Sequence, residues 1–214
     1  MIKVDRGIQP PVLAKRAARW RTDLAATVDP AHRRRLLDRY QHPQVKEALE
    51  RDFHGKCAYC ESKISHVSYG HIEHYRPKGG LRGQPDLAFD WNNLFLACGR
   101  CNGPEHKGDR FPHKVEGGPI VNPCDDEPAE HFHFEFDPVA KIASVFGTTT
   151  RGKTTEALLG LNRYDLRTHR SRVVERLAAL ARFATLDTEA ARLLADARLS
   201  SSEYAAFARA LQSD

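Results

Sequence analysis

Long hydrophobic runs are absent from this sequence of 214 residues. No segment approaches the ~18 uncharged apolar residues that a membrane-spanning helix needs, so we expect no contact with a membrane. Residues Met1 to Arg6 also lack the apolar stretch of a secretory signal. Together these two absences predict a cytoplasmic protein.

Cysteine is scarce, and its arrangement excludes a secreted disulfide framework. Four of the five cysteines form two Cys-x-x-Cys pairs, Cys57/Cys60 and Cys98/Cys101, and Cys124 is expected to be a small buried thiol. In a reducing compartment such pairs are typical of metal binding. Four thiolates fill the tetrahedral shell of Zn²⁺, so we expect a structural zinc ion. The pairs enclose 37 residues, a tolerable insertion because loop-closure entropy grows slowly with length.

Positive charge is unevenly distributed along the chain, whose formal net charge is +5. Residues 1–51 contain twelve Lys and Arg against six Asp and Glu, and residues 151–214 contain eleven against eight. Residues 113–150 contain only two against seven. Basic ends suit a nucleic-acid partner, because phosphate neutralisation supplies most non-specific affinity. The same pattern is also typical of solvated arginine-rich helices, so both interpretations stay open.

Hydrophobic periodicity and composition predict four regions. An N-terminal helical arm covers 1–54, and a core rich in Cys, His, Gly and Asn covers 55–112. An acidic loop with a β-hairpin covers 113–150, and a C-terminal helical region covers 151–214. Helices are expected over 11–25, 30–41, 43–53, 156–160, 165–184, 188–198 and 201–212. The expected N-cap of the fourth helix is Thr154 or Thr155. Strict alternation from His131 to Phe136, followed by Asp137-Pro138, predicts the hairpin near 131–146.

Between the cysteine pairs lie groups that a structural zinc clip does not need. Phosphodiester hydrolysis needs a base for water, a cation at the leaving oxygen, and donors for the other phosphate oxygens. His74 suits the first role because imidazole titrates near neutrality. Glu73 suits the second role as a ligand for Mg²⁺ or Mn²⁺. Three cationic side chains suit the third role as phosphate contacts: Arg76, Lys78 and Arg100.

Glu73 and His74 are adjacent, and adjacent side chains on a regular strand point to opposite faces. Their joint action at one phosphate therefore requires a bend after the strand, where Pro77 stands. The simpler interpretation is an exposed pair on a zinc-ribbon strand. Asn93 and Asn102, which lie beside the second cysteine pair, favour the hydrolytic interpretation because a structural clip has no use for them.

The ordered string of these motifs resembles the HNH endonucleases, most closely the zinc-stapled branch found with retrons and Septu-type antiphage systems. The motifs that carry the resemblance are Cys57-x-x-Cys60, Ile72 to Gly80, Asn92 to Asn102 and Lys107-Gly108-Asp109. Two downstream segments are also similar to that branch, Asn122 to Pro128 and Leu158 to Arg163, with Leu166 and Arg170 following. The resemblance covers most of the chain and is weakest before residue 50.

The resemblance implies an α+β fold, in which a mainly helical chain surrounds a zinc-stapled ββα-metal core and carries the additional hairpin near 131–146. It implies that His74 is the general base and that Glu73 stands where the family more often has aspartate. Asn93 would hold the loop that positions the histidine, and Asn102 would be the last metal ligand. The gap before Lys107 is two residues longer than the family pattern, which leaves His106 as the alternative ligand.

The resemblance further implies a metal-dependent endonuclease that works with a separate ATPase subunit in antiphage defence. DNA is the first expectation for its substrate. An RNase of the same fold, for example one that cleaves tRNA, is the alternative, since no residue here separates the two sugars. A third hypothesis is a non-catalytic zinc module that binds nucleic acid or a protein partner.

Overall fold

The computed structural model describes residues 1–64 and 68–211. Within these residues the α-helices are α1 (Pro11–Ala26), α2 (Pro30–Leu37), α3 (Pro43–Asp52), α4 (Gly99–Asn102), α5 (Thr150–Leu159), α6 (Tyr164–Phe183), α7 (Thr188–Ala197) and α8 (Ala205–Ala210). The strands are β1 (His71–His74), β2 (Leu94–Ala97), β3 (Phe132–Asp137) and β4 (Ile142–Gly147). The predicted α+β class is confirmed. In the described part of the chain, every helix is too short or too polar to cross a bilayer.

The chain folds into two compact units. The first unit comprises Asp5–Ala58 and Ile64–Phe111, and the second comprises Met1–Val4, Tyr59–Lys63 and Pro112–Asp214. Helices α1 to α4 and strands β1 and β2 belong to the first unit, and the remaining elements belong to the second.

Three proline-led helices build the arm of the first unit. Each begins with proline at its first position. The first N–H of a helix makes no hydrogen bond within the helix, so proline, which has no N–H, costs nothing there. The Asp29 carboxylate accepts from His32 N at the start of α2, and His42 Nδ1 accepts from Gln44 N at the start of α3. Helix α1 buries one apolar stripe: Val12, Leu13, Ala17, Trp20 and Leu24. Helix α2 is shorter than expected and continues as a 3₁₀ turn over Asp38–Tyr40.

Strands β1 and β2 form an antiparallel pair that places the motif residues. Glu73 lies opposite Phe95, and His74 lies opposite Leu94. All four residues of β2 are buried, whereas β1 is only partly buried. Packing of β2 in the core therefore holds the strand pair in place. The single turn of α4 follows two residues later, with the Cys98 sulfur accepting from Cys101 N at 3.4 Å. The acid and the histidine of the motif are therefore carried by β1, and the last asparagine is carried by α4.

The hairpin of the second unit agrees with its prediction, since β3 and β4 pair antiparallel with Phe134 opposite Val145. Helix α5 does not begin where the sequence indicated. Its N-cap is Thr149, whose side chain accepts from Gly152 N. Both expected caps, Thr154 and Thr155, lie inside the helix. Thr155 is buried, and its hydroxyl donates to Arg151 O and accepts from Val121 N.

The C-terminal helices differ from the prediction only near the chain end. Helix α8 covers Ala205–Ala210 instead of 201–212, and residue 212 lies outside the described residues. The downstream motif that ends at Arg170 has a structural role here. The buried Arg170 guanidinium donates to Ala143 O, Leu161 O and Asn162 Oδ1, which ties α6 to β4 and to the end of α5. Burial lowers the pKa of Arg170 to about 10, so the side chain stays charged at neutral pH.

Candidate active site

The four paired cysteines come together as the sequence predicted. The sulfur atoms of Cys57, Cys60, Cys98 and Cys101 all lie within 4.8 Å of one another. Four thiolates about 2.3 Å from one ion lie just under 4 Å apart in a tetrahedron, so this cluster fits a metal ion with no open position. Among residues 1–64 and 68–211, no other group of three or more His, Cys, Asp or Glu side chains has this spacing.

His74 is buried at the end of β1 and is held by one hydrogen bond. Its Nε2 lies 3.0 Å from the carbonyl oxygen of Ala88, and the Tyr40 ring contacts it edge-on with 4.5 Å between centroids. A carbonyl oxygen only accepts, so Nε2 carries the hydrogen and Nδ1 keeps the lone pair of the neutral ring. That tautomer is the one in which Nδ1 accepts a proton.

The electrostatic surroundings keep the His74 ring neutral. Burial lowers the pKa of His74 to about 3, the charges of Lys78 and Lys107 act in the same direction, and the hydrogen bond to Ala88 opposes them. At pH 7 the imidazole is therefore unprotonated, which is the form that a general base requires. The same burial makes the ring a weaker base than a solvated histidine.

Asn93 clamps the two segments that surround His74. Its Oδ1 accepts from Arg76 N at 2.7 Å, and its Nδ2 donates to Arg76 O at 3.0 Å and to Leu87 O at 3.1 Å. Leu87 directly precedes Ala88, whose carbonyl oxygen holds His74. The buried amide thus links the chain after β1 to the loop that orients the imidazole.

Glu73 makes a buried ion pair that sequence reasoning did not identify. Its Oε1 lies 2.5 Å from Lys107 Nζ, and the two side chains are 4% and 0% exposed. Lys107 Nζ also donates to the His74 carbonyl oxygen at 2.8 Å. In the sequence, Lys107 is notable only as part of the family motif Lys107-Gly108-Asp109. Its position after the second cysteine pair is the one local signal for a role at the site. Any cation that Glu73 binds shares the carboxylate with Lys107.

Asn102 and His106 have different surroundings. Asn102 ends α4 and lines a cleft of about 500 Å³, whose other walls include Tyr40, His42, Lys46, Gly70, His71 and Ile72. His106 lies half-buried in the turn that follows α4. Within the described ranges it is not among the residues that line this cleft. Glu73 and His74 are not among the described residues that line this cleft either, so the choice between Asn102 and His106 stays open.

Each of the three predicted phosphate contacts has a partner within the protein. The Arg76 guanidinium lies 4.9 Å from the centroid of Phe111. Lys78 Nζ lies 3.9 Å from the centroid of Tyr40 and 3.6 Å from Asp38 Oδ1. Arg100 is the most exposed of the three, and its guanidinium lies 3.5 Å from a carboxylate oxygen of the neighbouring Glu105. A phosphate that bound these cations would have to replace or share these contacts within the protein.

Comparison with known proteins identifies the chain. Residues 57–108 match the HNH endonuclease family. The chain is 31% identical over 209 residues to Septu protein PtuB of Bacillus mycoides, a match that covers 82% of this chain and 68% of that protein. The chain belongs to the Septu PtuB family. It is an endonuclease of the HNH type, and the predicted relationship to Septu and retron proteins is confirmed.

Two further proteins are similar to this PtuB-family chain. The retron Vc95 HNH protein of Vibrio cholerae is 29% identical over 124 residues, covering 56% of this chain and 58% of that protein. Septu protein PtuA of Bacillus mycoides is 26% identical over 145 residues, covering 56% of this chain but only 19% of that protein. A segment similar to this chain therefore also occurs inside a much longer Septu polypeptide.

Proposed function

We propose that this endonuclease hydrolyses phosphodiester bonds of DNA in antiphage defence, with His74 as its general base. The observation that supports this proposal is the hydrogen bond from His74 Nε2 to Ala88 O. It fixes the tautomer in which Nδ1 accepts a proton. Asn93 holds the loop that carries this carbonyl, so the imidazole keeps one orientation.

In the proposed reaction, His74 Nδ1 takes a proton from the attacking water. Glu73 and Asn102 are the oxygen ligands that would hold Mg²⁺ or Mn²⁺, which prefer such donors. When bound, that ion stabilises the charge on the departing 3′ oxygen. Arg76, Lys78 and Arg100 bind the flanking phosphate oxygens. The sulfurs of Cys57, Cys60, Cys98 and Cys101 would hold a structural Zn²⁺.

Cleavage assays with a histidine variant test this assignment. Plasmid, single-stranded DNA and tRNA are incubated with the protein and Mg²⁺ or Mn²⁺, and the His74→Ala variant is assayed beside the parent. A general base contributes roughly 10²–10⁴-fold to rate, so the variant should lose activity by at least that lower factor. His133→Ala, an exposed histidine on β3, is the matched control. Equal rates for His74→Ala and the parent would exclude His74 as the base.

The same assay decides between the candidate substrates. Cleavage of tRNA with no cleavage of either DNA would replace the DNA proposal with an RNase. Absence of cleavage on all three substrates, also with the partner protein present, would favour the non-catalytic zinc module. The four reduced thiolates of the metal cluster need a reducing environment, so we place the protein in the cytoplasm.

We also propose that the partner is an ATPase subunit of the PtuA kind. The proposal follows from the family resemblance and from the segment that this chain shares with a PtuA relative. Co-expression with the PtuA-type protein of the same system, followed by purification through a tag on one subunit, tests it. Recovery of the two proteins in constant ratio on gel filtration is expected, and separate elution would contradict the proposal.

A further inference from the structure

A groove in the first unit follows helix α1 toward the start of α3. Its volume is about 680 Å³, and its charged or titratable lining residues are Lys15, Arg16, Arg19, Asp23, Arg39 and His42, with Asp38 beside them. We call it the arm groove. The cleft at Asn102 shares Gln41, His42 and Pro43 with it. The two depressions therefore border on the same three residues.

The acidic residues of the arm groove are already compensated. Asp23 pairs with Arg39 at 2.7 Å, and Asp38 lies 3.6 Å from Lys78 Nζ. Lys15, Arg16 and Arg19 are exposed, and none of them makes an ion pair with another described residue. The groove therefore carries three uncompensated positive charges on one face of α1. Lys15 and Arg19 lie one helical turn apart, at about 6 Å along the axis.

Two further hydrogen-bond donors, His42 and Lys46, lie between the three cations of α1 and Asn102. His42 Nδ1 accepts from Gln44 N at 3.2 Å, so Nε2 carries the hydrogen of the neutral ring at the junction of groove and cleft. The Lys46 ammonium group in the cleft wall makes no hydrogen bond with the described residues, and Glu50 Oε1 lies 3.9 Å from it. The Lys46 side chain is 22% exposed and its contact with Glu50 is long, and a phosphate oxygen is the kind of acceptor that binds an ammonium group more closely.

We propose that the arm groove binds the phosphodiester backbone of the substrate and leads it past His42 into the cleft at Asn102. This proposal rests on the proposed nuclease function and adds a path by which the strand reaches Asn102, a proposed ligand of the catalytic ion. On α1, the 6 Å between Lys15 and Arg19 corresponds to about two phosphates along the axis of one strand, at ~3.4 Å each. Because these contacts address the backbone, the arm groove does not discriminate between base sequences.

The test measures equilibrium binding of fluorescent probes to the full chain as a function of salt. The probes are a DNA duplex, single-stranded DNA and RNA, each made in two unrelated sequences, and the His74→Ala background suppresses cleavage. The test variant is Arg16→Gln/Arg19→Gln. The matched control is Arg34→Gln/Arg35→Gln, which removes the same charge from exposed arginines of α2 that do not line the groove.

We expect the arm-groove variant to bind roughly tenfold or more weakly than the control, with the same loss for both sequences. The slope of log K against log salt should shrink by about 2 on duplex DNA, since each phosphate contact contributes about 0.9. Affinity and slope equal to those of the control would overturn the proposal. So would a parent protein that binds none of the probes, or an arm-groove variant that loses only its protein partner.

The two experiments distinguish failure of the arm-groove proposal from failure of the proposed nuclease function. If the arm-groove variant binds weakly but His74→Ala cleaves as fast as the parent, only the catalytic assignment fails. If His74→Ala is inactive and the arm-groove variant binds the probes normally, only the proposal that the arm groove binds the substrate backbone is contradicted. Single-turnover cleavage gives a second readout, because the arm-groove variant should raise the half-saturating substrate concentration and leave the maximal rate unchanged.

Discussion

At the scale of single residues, the contact between Glu73 and Lys107 serves the site in two ways. A buried carboxylate needs a compensating charge, and the strand that carries His74 needs a fixed backbone. Lys107 supplies both, since its ammonium group pairs with Glu73 and donates to the carbonyl oxygen of His74. The position of the proposed base therefore depends on a residue more than 30 positions later in the chain.

Replacing Lys107 tests this dependence. We expect Lys107→Met to lower the free energy of unfolding by about 3–5 kcal/mol, because it removes one partner of a buried ion pair. Lys107→Met/Glu73→Gln should be more stable than Lys107→Met alone, because no charge is then buried. Urea unfolding of the parent, Lys107→Met, Glu73→Gln and the double variant measures the coupling, with the exposed Lys114→Met as the control. Additive losses in the double variant would contradict a direct pairing.

At the scale of elements, local signals located the arm helices well because those signals lie next to each other in the chain. Asp29-Pro30 marks the start of α2, and Pro43 marks the start of α3. The start of α5 was placed too late because Thr155 looks like a cap in the sequence. Its hydroxyl is instead committed to Val121, which is 34 residues away. A contact of that separation has no local signature.

The Asn122–Pro128 segment is held to α5 by one carboxylate, and this contact predicts a pH dependence. Burial alone would raise the pKa of Asp126, but hydrogen bonds from Arg151 and Asn122 N and the positive charge of Arg151 keep that pKa below its ordinary value of 3.8. As the pH falls, the unfolded chain therefore binds the proton first. The stabilisation by Asp126 is present above pH 3.8 and is lost as the pH falls through the lower pKa of the folded state.

Asp126→Asn should therefore be less stable than the parent at pH 7, and the difference should shrink on acidification. Urea midpoints measured from pH 7 downward check this expectation. Glu130→Gln, a nearby exposed carboxylate, is expected to follow the parent at every pH. A difference between Asp126→Asn and the parent that stays constant below pH 3.8 would show that the charge of Asp126 is not the cause.

At the scale of the whole molecule, the four-sulfur cluster is expected to hold the core between the two cysteine pairs. That core is polar and is built from short elements, so metal binding contributes directly to its folding. We expect Cys98→Ser to lose the bound zinc and to unfold the middle region. Cys124→Ser, which removes the thiol outside the cluster, should keep the metal. Metal content by atomic absorption and amide hydrogen exchange over residues 57–108 are the measurements. Native protection of that region without zinc would contradict a folding role for the metal.

Much of this protein was determined by the sequence alone. The two cysteine pairs, the helical arm, the hairpin near 131–146 and the HNH string from Cys57 to Asp109 could be identified from it, because their signals lie in local spacing and periodicity. Only the tertiary structure decided that Lys107 pairs with Glu73, that Ala88 orients His74, and that α1 and the start of α3 line a groove with exposed cationic side chains. These contacts join residues whose separation follows no period, and they form only when packing brings distant segments together and buried charges and donors must find partners.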